Sequence, residues 1–329
     1  MIVIIGAGVI GASVAFHLAQ RGARVRVIDR APALGGGSTP KATGGFRAQF
    51  ASEIDVRLSL LSREKLLEFD SGYAPHGYLF LARSAAELEE LRAAQALQHA
   101  CGLHEARMVS AAEARELNPA ISDDSVIGGA FCPTDGFIRA MKILNHYVDG
   151  ARAMGVEFTF DCDYDRFAGK ADVLVDCRGA WAGAPIVPVR RKAVATVPTT
   201  IVPESMPMTV WASDWYHIRV RDGRLLLLWS DDPPNDETWL PTVQRWTRER
   251  VPMLSELPIE ESWSGFYEMT PDEHPLVGRV SENRYIAAGF CGHGVMHSPA
   301  IGQLMAELIL DGRTTIDISA LDPGRFGVR

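Results

Sequence analysis

Gly6, Gly8 and Gly11 stand within Ile2-Val-Ile-Ile-Gly-Ala-Gly-Val-Ile-Gly11, and Asp29 follows eighteen residues after the third glycine. This spacing suits a dinucleotide. Gly6 permits a tight turn, Gly8 lets the backbone approach a pyrophosphate, and Gly11 lets a helix pack closely on the preceding strand. The first turn of that helix, at Val9 and Ile10, aims its amides and dipole at the phosphates. An acid at the place of Asp29 accepts hydrogen bonds from an adenosine ribose, and Arg30 beside it belongs to the same candidate site. The pattern does not separate NAD from FAD.

The elements that must hold these residues follow from periodicity and punctuation. Ile2–Ile5 is short and wholly apolar, as in a buried parallel strand. A helix is expected over about 9–21 with Gly22 as its stop, then a second strand, Val25–Ile28. Capping boxes at Ser52–Asp55, Ser84–Glu87 and Ser110–Glu113 predict three helix starts. Tyr78–Leu81 reads as a strand, about 138–154 as a helix, and Val173–Cys177 as another parallel-type strand leading into the turn Arg178-Gly-Ala-Trp181. From about Pro188 to Gly265, prolines and tryptophans gather and strands alternate. Asp222-Gly223 between Trp215–Val220 and Arg224–Trp229 predicts a type I′ hairpin. Arg284–Ala288 is a strand, Gly289–Gly294 a glycine-rich loop, and Ser298 or Pro299 the start of a helix to about Leu310. The expected fold is α/β. A discontinuous nucleotide-binding domain takes 1–72, 132–187 and 275–329, and a mixed-sheet second domain takes 73–131 and 188–274.

Composition narrows the class. The 329 residues are 47% hydrophobic and 22% charged with a net charge of −8, as in an ordinary globular chain with no bulk-charge affinity for nucleic acid or anionic membrane. No apolar run approaches the ~20 residues of a membrane span. The apolar N-terminus reads as a strand, with no basic region or cleavage site of a signal peptide. Five scattered cysteines, without metal-type spacing, lead us to expect reduced thiols, a cytoplasmic location and no metal.

Four stretches together carry a resemblance. They are Gly6–Gly11 with Asp29, Asp176-Cys-Arg-Gly-Ala-Trp-Ala182, Met269-Thr-Pro-Asp-Glu-His-Pro-Leu-Val-Gly278, and Ala288–Gly302. The chain resembles the D-amino-acid-oxidase-type FAD oxidoreductases over essentially its whole length. It is most similar to their sarcosine oxidase, dimethylglycine dehydrogenase and L-proline dehydrogenase β-subunit branch. The resemblance implies a glutathione-reductase-like Rossmann FAD domain, a mixed-sheet substrate domain, and flavin between them.

It also implies roles. The loop 35–47 is rich in glycine, hydroxyls and cations, so its backbone amides can wrap pyrophosphate and ribityl chain, with Ser38, Thr39, Lys41, Ala42, Thr43, Gly44 and Gly45 at the cofactor. Gly179, Trp181, Gly289, Gly292, His293, Gly294, Val295 and Met296 complete the flavin set. Arg47 matches the position that pairs with a substrate carboxylate through its planar fork. Tyr267 is a hydrogen-bond donor, His297 a donor or proton acceptor, and Tyr216 a pocket residue. Alternation puts Tyr216, Ile218 and Val220 on one strand face and His217, Arg219 and Arg221 on the other, without saying which is inward.

Departures from the family pattern sharpen the expectation. Gly265 stands where some relatives link flavin through cysteine, and Lys41 where others use histidine, so non-covalent FAD is expected. The strand Leu225–Leu228 lacks the lysine that activates oxygen in oxidases, which favours a dehydrogenase. Met296 replaces a second cationic carboxylate ligand, and Val156–Ala171 is short for the family. The leading expectation is therefore FAD-dependent oxidation of a C–N bond in a small amino acid or secondary or tertiary amine, by hydride transfer to flavin N5. The alternatives are an oxygen-using sarcosine/glycine-type oxidase, a non-catalytic FAD-binding assembly protein, and an NAD-dependent dehydrogenase. The β-subunit resemblance adds an electron-accepting partner subunit to the expected partners.

Overall fold

A computed structural model describes residues 1–164, 171–230 and 235–327. One sheet has six strands, in the order β15 (Leu276–Ser281), β16 (Arg284–Ala288), β9 (Val173–Asp176), β1 (Ile2–Ile5), β2 (Val25–Ile28) and β8 (Glu157–Thr159). Its pairings are parallel except β15 with β16, and β1 lies between β2 (Ile2↔Val25) and β9 (Ile2↔Val173). The alternation along β1 decides its packing. Ile2 and Ile4 face helices α1 (Val9–Gln20), α5 (Ala140–Ala153) and α7 (Gly294–Asp311), while Val3 and Ile5 face Cys162 and Leu174.

The second sheet has eight strands, in the order β14 (Ile259–Met269), β10 (Val187–Pro198), β13 (Arg224–Trp229), β12 (Tyr216–Arg221), β11 (Met208–Trp211), β4 (Tyr78–Ala82), β6 (Gly128–Cys132) and β5 (Arg107–Ser110). One face packs on α4 (Ala111–Leu117) and on α6 (Asp236–Arg250), which buries Trp239 and Val243. The other face presents Tyr78, Phe80, Met208, Val210, Leu226 and Leu228. A two-stranded ribbon, β3 (Gly45–Phe46) with β7 (Gly136–Phe137), and helices α2 (Glu53–Leu66) and α3 (Ala85–Ala100) complete the elements.

Several expectations change. Ser110 makes the full capping box and Ser84 caps α3, but the Ser52 hydroxyl makes no cap and instead meets His274 Nε2 at 2.9 Å. Helix α7 begins at Gly294, before Ser298, and Pro299 lies inside it. The Ser298 hydroxyl donates to the Val295 carbonyl at 2.9 Å, a carbonyl that Pro299 has no N–H to satisfy. Helix α6 lies within the stretch expected to be all strand. Asn235 caps it, accepting the amides of Glu237 and Thr238. The short connection after β8 lies partly outside the described residues. The Asp222-Gly223 turn has φ of 55° and 69°, as a type I′ hairpin requires.

Candidate functional site

A cavity of about 1060 Å³ runs from the carboxyl ends of β1 and β2 to the face of the eight-stranded sheet that carries Tyr78, Phe80, Met208, Val210 and Leu228. Its nucleotide end is built by close backbone approach. A Cβ on Gly6, whose φ is +106°, would sit 2.3 Å from the Cys177 carbonyl oxygen, and one on Gly11 would sit 1.9 Å from that of Gly6. Gly8 differs: a Cβ there would meet only the Thr39 hydroxyl, at 3.6 Å, so the hydrogen keeps room open for a ligand. The Thr39 hydroxyl accepts the Val9 amide at 3.2 Å. The Asp29 carboxylate accepts one amide on each oxygen, Ala7 at 2.7 Å and Ala31 at 2.8 Å, which leaves lone pairs for ligand hydroxyls. A Cβ-free approach, a helix first turn at the cavity and a fixed acceptor fit an adenosine diphosphate moiety such as that of FAD.

Of the residues expected at the cofactor, Gly6, Gly8, Val9, Ile10, Asp29, Arg30, Ser38, Thr39, Lys41, Ala42, Thr43, Gly44, Gly45, Gly179, Trp181, Gly292, His293, Gly294, Val295 and Met296 line this cavity. Gly11 and Gly289 do not. Gly11 packs α1 on β1, and Gly289 donates its amide to Glu268 at 2.5 Å.

At the opposite end, Arg47 projects into the cavity with its guanidinium carbon 3.6 Å from the Phe50 ring centroid. It donates to the Gln49 carbonyl and, at 3.4 Å, to His293 Nε2. Among the described residues no carboxylate lies within ion-pair distance of it. Burial lowers the Arg47 pKa from its ordinary value, and Tyr78, Asp135 and Asp55 act in the other direction. Tyr267 also lines the cavity, its ring pressed on Gly292, where a Cβ would come within 2.5 Å. Burial pushes the Tyr267 hydroxyl up in pKa.

Two expected residues fall elsewhere. Tyr216 is fully buried on the opposite face of β12, its hydroxyl 2.8 Å from that of Thr247 on α6. Helix α6 covers that face, so His217 points into the cavity. The His217 Nδ1 lies 2.7 Å from the Trp215 carbonyl, which can only accept, so Nε2 carries the lone pair. Burial lowers its pKa to about 4. His297 is likewise fully buried and off the cavity. Its Nε2 lies 3.0 Å from the Ser59 hydroxyl on α2, and burial lowers its pKa to about 4.

The cavity wall and the layer behind it also hold residues that sequence reasoning did not single out. Tyr78 lies against Gly45, where a Cβ would come 2.1 Å from its hydroxyl, and Glu268 reaches the glycine loop. Asp135, fully buried behind Arg47, accepts from Ala48 N, Gln49 N and Gln49 Nε2 at 2.7, 3.3 and 3.1 Å. Burial raises its pKa to about 6 despite those bonds. Lone acids on strands and turns carry no period or spacing that marks them. Among the described residues there is no cluster of metal-ligating side chains, and no helix is long and apolar enough to cross a membrane.

Comparison with known proteins agrees with this geometry. Residues 1–308 match the family described as FAD dependent oxidoreductase. The chain is 26% identical to mitochondrial dimethylglycine dehydrogenase of Rattus norvegicus, covering 99% of this chain and 44% of that protein, less than half its length. It is 27% identical to glycine oxidase of Geobacillus kaustophilus, covering 97% and 95% of the two chains. The crystal structure of L-proline dehydrogenase from P. horikoshii superposes with a TM-score of 0.89 at 28% identity, covering 99% and 97%.

Proposed function

The chain belongs to the FAD dependent oxidoreductase family, and from that premise we propose that it oxidises the C–N bond of a small amino acid or N-alkylated amino acid as a dehydrogenase. Bound FAD supplies the hydride acceptor, and the protein supplies placement and electrostatics. The observation that carries the reading is Arg47, a guanidinium in the cavity wall with no carboxylate partner among the described residues. A substrate carboxylate completes it through paired N–H···O bonds. Anchoring there turns the substrate's C–N bond toward the remaining wall. Tyr267 is a hydroxyl donor for the anchored end, and neutral His217 offers Nε2 to an amine N–H. The apolar faces of Phe80, Met208, Val210 and Leu228 exclude water.

We assign Gly6, Gly8, Asp29, the 35–47 loop and the start of α7 to FAD, held without a covalent link, since Gly265 and Lys41 offer neither cysteine nor histidine. The division into an FAD domain (1–72, 132–187, 275–329) and a substrate domain (73–131, 188–274) is supported by the two sheets, whose strands fall on opposite sides of it except for β6 and β10, each of which straddles or abuts a boundary. The preference for dehydrogenase rests on β13, which brings Leu226 and Leu228 and no lysine to the cavity face. The acceptor is then a dye-like small molecule or a partner subunit. The exposed Trp181–Phe266 pair, 5.5 Å apart beside the cavity, supports an approach there. Anaerobic mixing with sarcosine, proline, glycine and D-amino acids tests the reading: one or more should bleach the flavin, and reoxidation should favour dye over oxygen. No bleaching by any of them defeats the substrate assignment, and stoichiometric peroxide defeats the dehydrogenase assignment.

A further inference from the structure

Glu268, next to last in β14, is half-buried in the cavity wall and holds the glycine loop. Its Oε2 accepts the amides of Gly289 at 2.5 Å and Phe290 at 3.3 Å, and its own carbonyl accepts that of Cys291 at 3.2 Å. On the far side, Oε1 lies 3.2 Å from where a Cβ of Gly179 would be. Glu268 thus spans the gap between the Gly179 turn and the loop before α7. Among the described residues no lysine, arginine or histidine comes within ion-pair distance of it.

A clamp alone does not call for an acid. Glutamine has the same length, and its single carbonyl oxygen accepts both amides without the cost of burying an unpaired charge. Burial indeed pushes the Glu268 carboxyl above its ordinary range, against the two amide bonds. A half-buried acid kept without a cation, in the wall of a candidate redox cavity, points to a role for the charge itself.

We propose that the Glu268 carboxylate sets how readily the bound FAD is reduced, by holding a fixed negative charge in the cavity that must take up another. The proposal rests on the reading above that this cavity holds FAD. In the reaction the substrate C–H bond breaks and its hydrogen leaves with both electrons. The amine is left as an iminium cation, which loses its N–H proton to water to give the imine, and FAD is reduced; once product and proton have left, the cavity holds one more negative charge than before. A fixed negative charge in the same cavity disfavours that state, more strongly than it would in open water. Electrons then enter less easily and pass onward more easily, which suits a donor to an acceptor other than oxygen.

The test compares wild type with E268Q and E268D. Each apoprotein is titrated anaerobically with oxidised and with dithionite-reduced FAD, and the midpoint of each holoprotein is read against a reference dye. E268Q should favour reduced over oxidised FAD at least tenfold more than wild type, a rise in midpoint of about 30 mV for two electrons. E268D keeps the charge and shortens the reach, so it should bind both forms more weakly while its ratio stays within about threefold of wild type. An unchanged ratio in E268Q overturns the proposal. So does a rise in E268D equal to that in E268Q, which would make the clamp the cause. The titration reads the ratio even where binding is weak. A wild-type protein that takes up no FAD defeats the underlying reading, and this one with it.

Discussion

Asp135 accepts the Ala48 amide at 2.7 Å, and that bond fixes the backbone immediately after Arg47. The second oxygen takes Gln49 N and Nε2, and Gln49 Nε2 also donates to the Tyr78 carbonyl at 3.0 Å. One buried carboxylate thereby sets the positions of two cavity residues. D135N leaves one acceptor where three donors converge and turns an NH₂ group onto them. We expect a loss of about 2–3 kcal/mol in thermal or urea unfolding, the cost of unpaired buried donors, with a raised KM for carboxylate-bearing substrates.

Arg47 itself should divide substrates by their charge. R47Q removes the fork and keeps much of the bulk. For an N-alkylated amino acid, kcat/KM should fall by a factor on the order of 10²–10³, corresponding to about 3–4 kcal/mol of transition-state binding. For an amine of the same shape without a carboxylate it should change less than about threefold. R47K should recover only part of the loss, since an ammonium is not bidentate. Equal losses on both amines would remove the anchor role.

Gly6 and Gly8 are two residues apart and should fail differently. G6A forces a Cβ to 2.3 Å from a carbonyl at a φ of +106°, so the fold itself should lose more than about 2 kcal/mol. G8A meets nothing closer than 3.6 Å, so the apoprotein should melt like wild type. Its FAD affinity should nevertheless drop at least tenfold, because the methyl occupies the approach to the pyrophosphate. A G8A protein that binds FAD normally would move the pyrophosphate elsewhere.

His274 and Asp55 tie the segment after β14 to α2 through an Nε2···Oδ2 contact of 3.3 Å. The bond to Asp55 raises the His274 pKa to about 9. Burial pushes Asp55 up, but the hydrogen bond from His274 and the neighbouring histidine charges outweigh it and hold the carboxyl at about 2. A raised imidazole stabilises the fold fully below its unfolded value near 6.5, and that share is lost as pH rises through about 9. A depressed carboxyl stabilises above about 4, and its share is lost as pH falls toward 2. H274A should therefore cost about 1–2 kcal/mol at pH 6 after allowance for partial exposure. The gap to wild type should close by pH 10. A gap independent of pH would mean packing, not charge.

Local signals carried much of this molecule, and long-range ones did not. The β1–α1–β2 unit is encoded by an apolar run, three glycines and an acid within 29 residues, and the hairpin by Asp222-Gly223. Ser52 fails as a cap because its hydroxyl is taken by His274, 222 residues away, which no local pattern records. Alternation paired Tyr216 with Ile218 and set His217 opposite. The inward face was decided by α6, hidden in the sequence by Pro241 and by a stretch with few apolar residues. His297 lies one residue past Met296, the last of the loop-and-helix residues that line the cavity, and the turn of α7 sends it to Ser59. Asp135 and Glu268 gain their meaning only when the backbone amides of other segments converge on them.

The register Ile2↔Val173 also has a cost during synthesis. A ribosome releases the first strand about 170 residues before its second neighbour, and β16, the next strand outward, follows more than a hundred residues after that. Through most of translation the nascent polypeptide carries an apolar ribbon with one side unmatched, the condition in which chains aggregate. Slow growth at low temperature, or abundant chaperones, should therefore raise the yield of intact product more than any change at the catalytic end.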